Sequence, residues 1–185
     1  MITDATVLLS GGIDSAACAR YLQDEGRTVS CVFIDYGQAA ARPERRAATA
    51  LAELLHSKLS IISIDAQQHF GVGEIVGRNA FLALAALTLC KVKSGVLALG
   101  IHAGTPYYDC GPAFLISIDR LVAEYTDGCT RVVAPFISWT KRDTFDYYVG
   151  AGFPTSITYS CEAGSDPPCG TCASCQDRRA LGCFI

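Results

Sequence analysis

Charge of either sign is scarce in this sequence. Only 18% of its 185 residues are charged, and 15 basic against 18 acidic residues leave a net charge of −3. No basic excess points to a phosphate-rich polymer, so nucleic acid is not an expected partner. Long hydrophobic runs are also missing. The longest apolar stretch, Ala80 to Cys90, is interrupted by Thr88 and falls well short of the roughly 20 residues a membrane-spanning helix needs, so no membrane partner is expected. Met1 to Leu9 has neither the basic segment nor the cleavage-type tail of a secretory signal, and a cytoplasmic location is expected. There are only three histidines, and neither an HExxH motif nor a Ser–His–Asp order appears. Half of the residues are hydrophobic, which excludes disorder. At about 150 residues per domain the length suits a single core.

Cysteine, in contrast, is abundant, with ten in the chain. In a reducing compartment cysteines mean metal or catalysis more often than disulfides. Cys161, Cys169, Cys172 and Cys175 follow a C-x7-C-x2-C-x2-C spacing, with Gly164 and Gly170 allowing tight turns. Four thiolates so placed can close a tetrahedral site with no open position, so structural Zn2+ is expected there. An iron–sulfur cluster is the second reading, because CGTCASC also fits part of a ferredoxin run. Cys18, Cys31 and Cys90 fall in regular elements and read as small buried hydrophobes; Cys129 and Cys183 have no assignment.

Apolar runs and helical periodicities alternate along the chain. Strands are expected at Ala5–Leu9, Thr28–Ile34, Leu59–Ile64, Gly95–Leu99 and Arg131–Ala134. Helices are expected at Ile13–Asp24, Ala39–His56, Asn79–Val92, Pro112–Tyr125 and Thr140–Gly150, and a loop at Gln67–Glu74. This order implies an α/β fold with a doubly wound, mainly parallel, Rossmann-like sheet of five strands, whose ligands bind beyond the carboxyl ends of the strands. From Gly152 onward proline, glycine and cysteine dominate. Residues 1–151 therefore read as the nucleotide-binding domain and 152–185 as a small metal-stapled segment.

The first strand runs into Ser10-Gly11-Gly12-Ile13-Asp14-Ser15 and then a helix. Glycines turn the backbone with its N–H groups inward, the helix N-terminus adds partial positive charge, and Ser15 adds a hydroxyl. Such a nest suits phosphate. The Gly-Lys-Ser/Thr ending of a Walker A loop is absent. The hexapeptide resembles the pyrophosphate-binding PP-loop of the N-type ATP pyrophosphatases. That likeness implies an adenine nucleotide alpha hydrolase-like fold, cleavage of ATP between the α- and β-phosphates, and a role for Asp14 toward Mg2+ or loop geometry.

Further segments extend the likeness. Asp35-Tyr36-Gly37-Gln38, Gly77-Arg78-Asn79, Gly100-Ile101, Tyr108-Asp109-Cys110, Pro135 before Lys141 and Asp143, the terminal cysteines and Arg178 occur in this order over nearly the whole chain. Together with SGGIDS they resemble the 7-cyano-7-deazaguanine synthase (QueC) family. On this resemblance Ser10, Asp14, Ser15 and Lys141 are the catalytic candidates. Asp35, Tyr36, Gly77, Arg78 and Asn79 join the loop in holding ATP. Asp35 and Tyr36 also read as a strand-end turn, and Asn79 as a helix cap. Gln38, Arg78, His102, Tyr108 and Asp109 are candidates for the substrate, with Asp109 matching a guanine-like edge or standing as a loop carboxylate. Lys141 reaches the leaving pyrophosphate or is solvated.

The resemblance implies that 7-carboxy-7-deazaguanine is adenylated by ATP, converted by ammonia to an amide, and converted by a second ATP to the nitrile. Three departures stand out: a short link from Asp65 to Gly77 where the family has an insertion, a brief tail after Cys175, and Gly111 where the family often has arginine. They imply a more open site and suit a larger acceptor, such as a protein amine in a ligase of a bacterial antiviral operon. A nucleotide-binding module without catalysis is the reading from another class. A homodimer is expected by resemblance alone.

Overall fold

The computed structural model describes residues 4–65, 70–92 and 94–183. The start of the loop expected from Gln67, together with His69, lies outside the described residues. Five strands, β1 (Asp4–Leu8), β2 (Thr28–Asp35), β3 (Lys58–Ser63), β4 (Gly95–Ala98) and β5 (Thr130–Val133), pair in the order β3-β2-β1-β4-β5. Every pairing is parallel. Helices α1 (Ile13–Asp24), α2 (Ala41–Leu54), α3 (Arg78–Leu89), α4 (Pro112–Tyr125) and α5 (Lys141–Gly150) connect and follow the strands. The doubly wound sheet expected from the sequence is present.

Side chains alternate across each strand, and the burial follows that period of two. On β2, Val29, Cys31 and Phe33 enter one core while Val32 and Ile34 enter the other. On β4 and the residue after it, Val96 and Ala98 face the first core and Leu97 and Leu99 the second. The first core is closed by Ala16, Ala19 and Leu22 of α1, Leu51 of α2 and Tyr148 of α5. The second is closed by Ala83 and Ala86 of α3 and by Phe114, Ile118 and Val122 of α4. Cys18 and Cys31 are fully buried, as small apolar side chains would be.

Two features of the structure go beyond the apolar pattern of the sequence. Helix α3 is apolar almost throughout, yet it buries one stripe only: Phe81 is 43% and Leu89 52% exposed. The tail also contains a helix, α6 (Ala173–Ala180). This segment lacks an apolar period, and its inner face carries Cys175 and Arg178 instead. Phe153 and Cys183 of the tail belong to the first core, so the tail is packed against the sheet at both ends.

The chain runs outward from β1 through β2 to β3, then returns to place β4 beside β1. The carboxyl ends of β1 and β4 are therefore where the winding reverses, the point at which such sheets open a crevice.

Candidate active site

A cavity of about 270 Å3 lies at this reversal. Its floor is the loop after β1. Gly11 takes φ +88°, and a Cβ there would lie 2.6 Å from the Glu44 carbonyl oxygen, so only glycine lets the turn pack against α2. Gly12 is the N-cap of α1 and no side chain caps that helix. Its first-turn N–H groups remain available to an anion. The Ser10 and Ser15 hydroxyls lie 3.1 Å apart, and Ser15 also donates to the Gly12 carbonyl at 3.0 Å.

Asp14 and Lys141 meet over this floor. Lys141 Nζ donates to Asp14 Oδ2 at 2.6 Å. Asp14 Oδ1 is buried and has no hydrogen-bond partner among the described residues. His102 Nε2 stands 3.8 Å from Asp14 Oδ2, while Nδ1 is 2.6 Å from the Ala103 carbonyl, which fixes the ring proton on Nδ1. Lys141 is held there because α5 is docked firmly on α1. Tyr21, Phe136, Trp139 and Tyr147 form an aromatic cluster, and the Tyr147 hydroxyl donates to Asp24 at 2.6 Å.

The opposite wall comes from the ends of β2 and α3. Gln38 Oε1 accepts from the Tyr36 N–H at 2.9 Å, and Gln38 Nε2 donates to the Ile34 carbonyl and to Glu44 Oε2. The Gln38 amide thus holds the strand end and Glu44 in place. Burial pushes the Glu44 carboxyl above the usual range, against the hydrogen bond from Gln38 and the nearby Arg78 cation. Burial likewise raises the Tyr36 phenol, opposed by Arg78. Asp35 Oδ1 accepts from the Gly37 N–H at 3.2 Å.

At the start of α3, Asp109 Oδ2 accepts from the Asn79 N–H at 3.0 Å, and Asn79 Nδ2 donates to the Asp109 carbonyl at 2.9 Å. Asp109 therefore caps α3 from the Tyr108–Cys110 turn. Tyr108 itself is 67% exposed.

Of the residues singled out from the sequence, Ser10, Gly12, Asp14, Ser15, Tyr36, Gln38, Arg78, Asn79 and Lys141 line one cavity. Gly11, Asp35, Gly77, His102, Tyr108 and Asp109 stand behind or beside it and are not part of its lining. Sequence reasoning missed Glu44, Tyr159, Ser160, Glu162, Ser174 and Asp177, which do line it. For Glu44 the available signal is an acidic residue in the first turn of a helix leaving a strand end. For Tyr159 to Glu162 it is adjacency to Cys161.

The tail closes the cavity. The Tyr159 N–H donates to the Gly11 carbonyl at 2.9 Å. Arg178 is buried and donates to Thr158 Oγ1 at 2.6 Å and to the Thr155 carbonyl at 3.2 Å. Next to it, the sulfurs of Cys161, Cys169, Cys172 and Cys175 all lie within 4.8 Å of one another. The Cys169 N–H donates to Cys161 Sγ at 3.2 Å and the Cys172 N–H to Cys169 Sγ at 3.4 Å. Burial raises the Cys161 thiol, but hydrogen bonds from the Cys169 N–H and Ser165 outweigh it and bring it to about 5. Burial pushes Cys175 up to about 12. Four thiols this close cannot all ionise without a cation between them, so the donor set fits a metal.

Comparison with known proteins decides the family. The model of the family "Queuosine biosynthesis protein QueC" matches residues 4–79 and 72–182. The chain belongs to the QueC family. This QueC-family chain is 30% identical over 203 residues to the 7-cyano-7-deazaguanine synthase of Methanoculleus marisnigri, covering 95% of this chain and 91% of the relative. It is also 30% identical to the Aquifex aeolicus 7-cyano-7-deazaguanine synthase, covering 93% of each. The two stretches matched by the family model overlap over residues 72–79, across the short link and the first two residues of α3.

Among solved structures, the NMN synthetase of Francisella tularensis superposes with a TM-score of 0.58 at 16% identity, covering 100% of this chain and 79% of that one. The U34-tRNA thiolase NcsA of Methanococcus maripaludis, solved with its [4Fe-4S] cluster, has a TM-score of 0.51 at 15% identity, covering 100% of this chain and 74% of that one. These neighbours share the α/β fold of this chain. The matched relatives are named as 7-cyano-7-deazaguanine synthases, which supports a QueC-type function for this chain. Among the described residues no helix is long and apolar enough to cross a membrane.

Proposed function

We propose that this chain is an AMP-forming enzyme that adenylates the carboxylate of 7-carboxy-7-deazaguanine and carries it through the amide to 7-cyano-7-deazaguanine. The observation that carries the reading is the uncapped N-terminus of α1, with the Ser10–Ser15 hydroxyl pair and the Lys141–Asp14 pair opening into one cavity. A carboxylate lacks a leaving group. Its oxygen attacks the α-phosphorus of ATP, the bond from that phosphorus to the bridging oxygen breaks, and pyrophosphate departs. Ammonia adds to the acyl carbon, loses a proton and expels AMP, leaving the amide. The amide oxygen attacks a second ATP in the same way, and loss of AMP with the two amide protons leaves the nitrile.

In this reading the chain mainly aligns reactants and receives negative charge. The N–H groups after Gly12, with Ser10 and Ser15, hold the pyrophosphate. Lys141 swings from Asp14 to the leaving group. Tyr36, Arg78 and Asn79 form the wall for the nucleotide, and the substrate lies toward the Tyr108–Asp109 turn with His102 at its border. The orphaned Asp14 Oδ1 is a hard oxygen suited to Mg2+, which would supply neutralisation of phosphate charge.

Residues 1–151 are the ATP-binding part in this proposal and 152–185 the metal-bound segment. Zinc is favoured for the four cysteines. A tetrahedron with Zn–S of about 2.3 Å has edges of about 3.8 Å, and Cys169 Sγ lies 3.9 Å from Cys175 Sγ. A cubane cluster would spread its thiolates over four separate irons.

One observation favours a second reading, in which the acceptor is a protein amine instead of ammonia. Val72 and Val76 on the short link are 60% and 89% exposed, an apolar surface suited to a protein partner. Incubation with ATP, Mg2+ and 7-carboxy-7-deazaguanine, with and without ammonia, tests both by mass spectrometry. Nitrile with AMP and pyrophosphate is expected. Amide or a protein adduct without nitrile would favour the second reading. ATP binding with no pyrophosphate under any condition would leave a binding module alone.

A further inference from the structure

Cys161, the first of the four clustered cysteines, sits inside a stretch that touches the loop after β1, the turn after β2 and the link before α3. Tyr159 donates its N–H to Gly11 of the phosphate loop, and its hydroxyl donates to the Ser165 carbonyl at 2.7 Å, inside the cysteine loop. Gly164, at φ +67°, packs on the Ala39 carbonyl after β2 so closely that a Cβ would lie 2.0 Å from it. Glu162, next to Cys161, has both carboxylate oxygens engaged. Oε1 accepts from the Ser174 N–H at 3.1 Å and from its hydroxyl at 2.9 Å. Oε2 accepts from the Gly73 N–H at 3.1 Å, on the link that leads to Arg78.

Ser174 lies between Cys172 and Cys175 on the first turn of α6, so one oxygen of Glu162 is fixed by the cysteine cluster. Its other oxygen fixes the link carrying Arg78 and Asn79, and its side chain lines the cavity. Arg178 and Cys183 anchor the far end of α6, so a metal on the four cysteines would set its first turn, and a carboxylate gripped there transmits that order to the other side.

We propose that Glu162 is a positioning residue that couples metal binding at the four cysteines to nucleotide binding in the cavity. With metal bound, Ser174 is held, Glu162 is held, and the Gly73–Asn79 link is set in its closed path. Without metal, the first turn of α6 is released, Glu162 loses two of its three donors, and the link and the Tyr159–Gly11 contact loosen together. Coupling between two sites is reciprocal, so a bound nucleotide must tighten the metal by the same factor that the metal tightens the nucleotide. The proposal rests on the reading that ATP occupies this cavity.

The test uses the zinc-loaded full chain. Zinc transfer to a chromogenic chelator is followed with and without saturating α,β-methylene ATP, whose α–β bond resists cleavage, and the affinity for that analogue is measured by calorimetry. The expected result is zinc release slowed about 10-fold by the analogue, within the roughly 5–150-fold range of such couplings. Glu162→Ala should keep one zinc per chain, lose this protection and bind the analogue about 10-fold more weakly. Glu162→Gln, which retains one acceptor oxygen, should fall between. The wild-type comparison needs no variant, so a poorly folding Glu162→Ala leaves the test intact. Equal release rates with and without a bound analogue would overturn the coupling. Absence of analogue binding to the zinc-loaded wild type would instead overturn the reading of the cavity, and this proposal with it.

Discussion

Lys141 Nζ lies 2.6 Å from Asp14 Oδ2, joining the first turns of α5 and α1 across 127 positions of sequence. Both side chains are partly exposed, at 31% and 24%, so the pair adds at most about 1 kcal/mol to stability. In the proposed reaction this pair is exchanged as Lys141 moves to the leaving pyrophosphate. Lys141→Met should lower pyrophosphate release about 100-fold, as loss of one transition-state donor does. The melting temperature should move by no more than about 4 °C. Release at the wild-type rate would remove Lys141 from the chemistry.

Burial raises the Glu44 carboxyl above the usual range. The unfolded chain ionises near about 4.3. Below that value Glu44 is protonated in both states and the folded chain carries no penalty. As pH rises from the unfolded pKa through the raised folded one, the penalty appears and then stays. Glu44→Gln keeps an acceptor for Gln38 and removes the charge. Thermal melts should show the variant more stable than wild type at pH 8, with the difference vanishing toward pH 4. A difference that grows on acidification would contradict the sign.

Thr140 and Asp143 form a capping box at the start of α5, each side chain accepting from the other's backbone N–H. The Thr140 hydroxyl and N–H hold the Asp143 carboxyl below its ordinary value. That contribution is present above the unfolded carboxylate pKa and fades as pH falls through the lowered one. Thr140→Ala should lower the melting temperature by about 2–4 °C at pH 7, and by less near pH 3. Calorimetric scans at the two pH values check it.

Removal of metal should release the tail while sparing the sheet. After a strong chelator, hydrogen exchange at Cys169–Ala180 should rise sharply, while β1 and β4, buried between both cores, stay protected. Elemental analysis of the untreated protein should give one zinc per chain and no visible absorbance. Iron with a visible band would instead assign a cluster.

The strands, the phosphate loop and the cysteine spacing were legible because each is local: a run of apolar residues, a hexapeptide, a fixed interval. Helix α6 was hidden because its inner face is built from Cys175 and Arg178 instead of an apolar stripe. Glu44, Glu162 and Asp177 escaped for another reason. Glu162 and Asp177 line the cavity only because the tail folds back over the sheet, which no interval in the sequence encodes, whereas Glu44 is set by α2 against the end of β2 and signalled only by an acidic first turn. Asp109 was legible as a residue of interest, but its hold on the Asn79 N–H depends on how the Tyr108–Cys110 turn meets α3.

The uneven burial of the ten cysteines gives this chain a built-in clock for alkylation. Burial pushes the Cys31 thiol up to about 12 and the Cys18 thiol higher still, so neither reacts until the sheet opens. Cys129 is exposed and takes reagent at once. In the proposed metal-bound chain the four tail thiols become available once the metal is removed. Successive mass increments under one reagent therefore time the surface, the tail and the sheet separately, without a single introduced label.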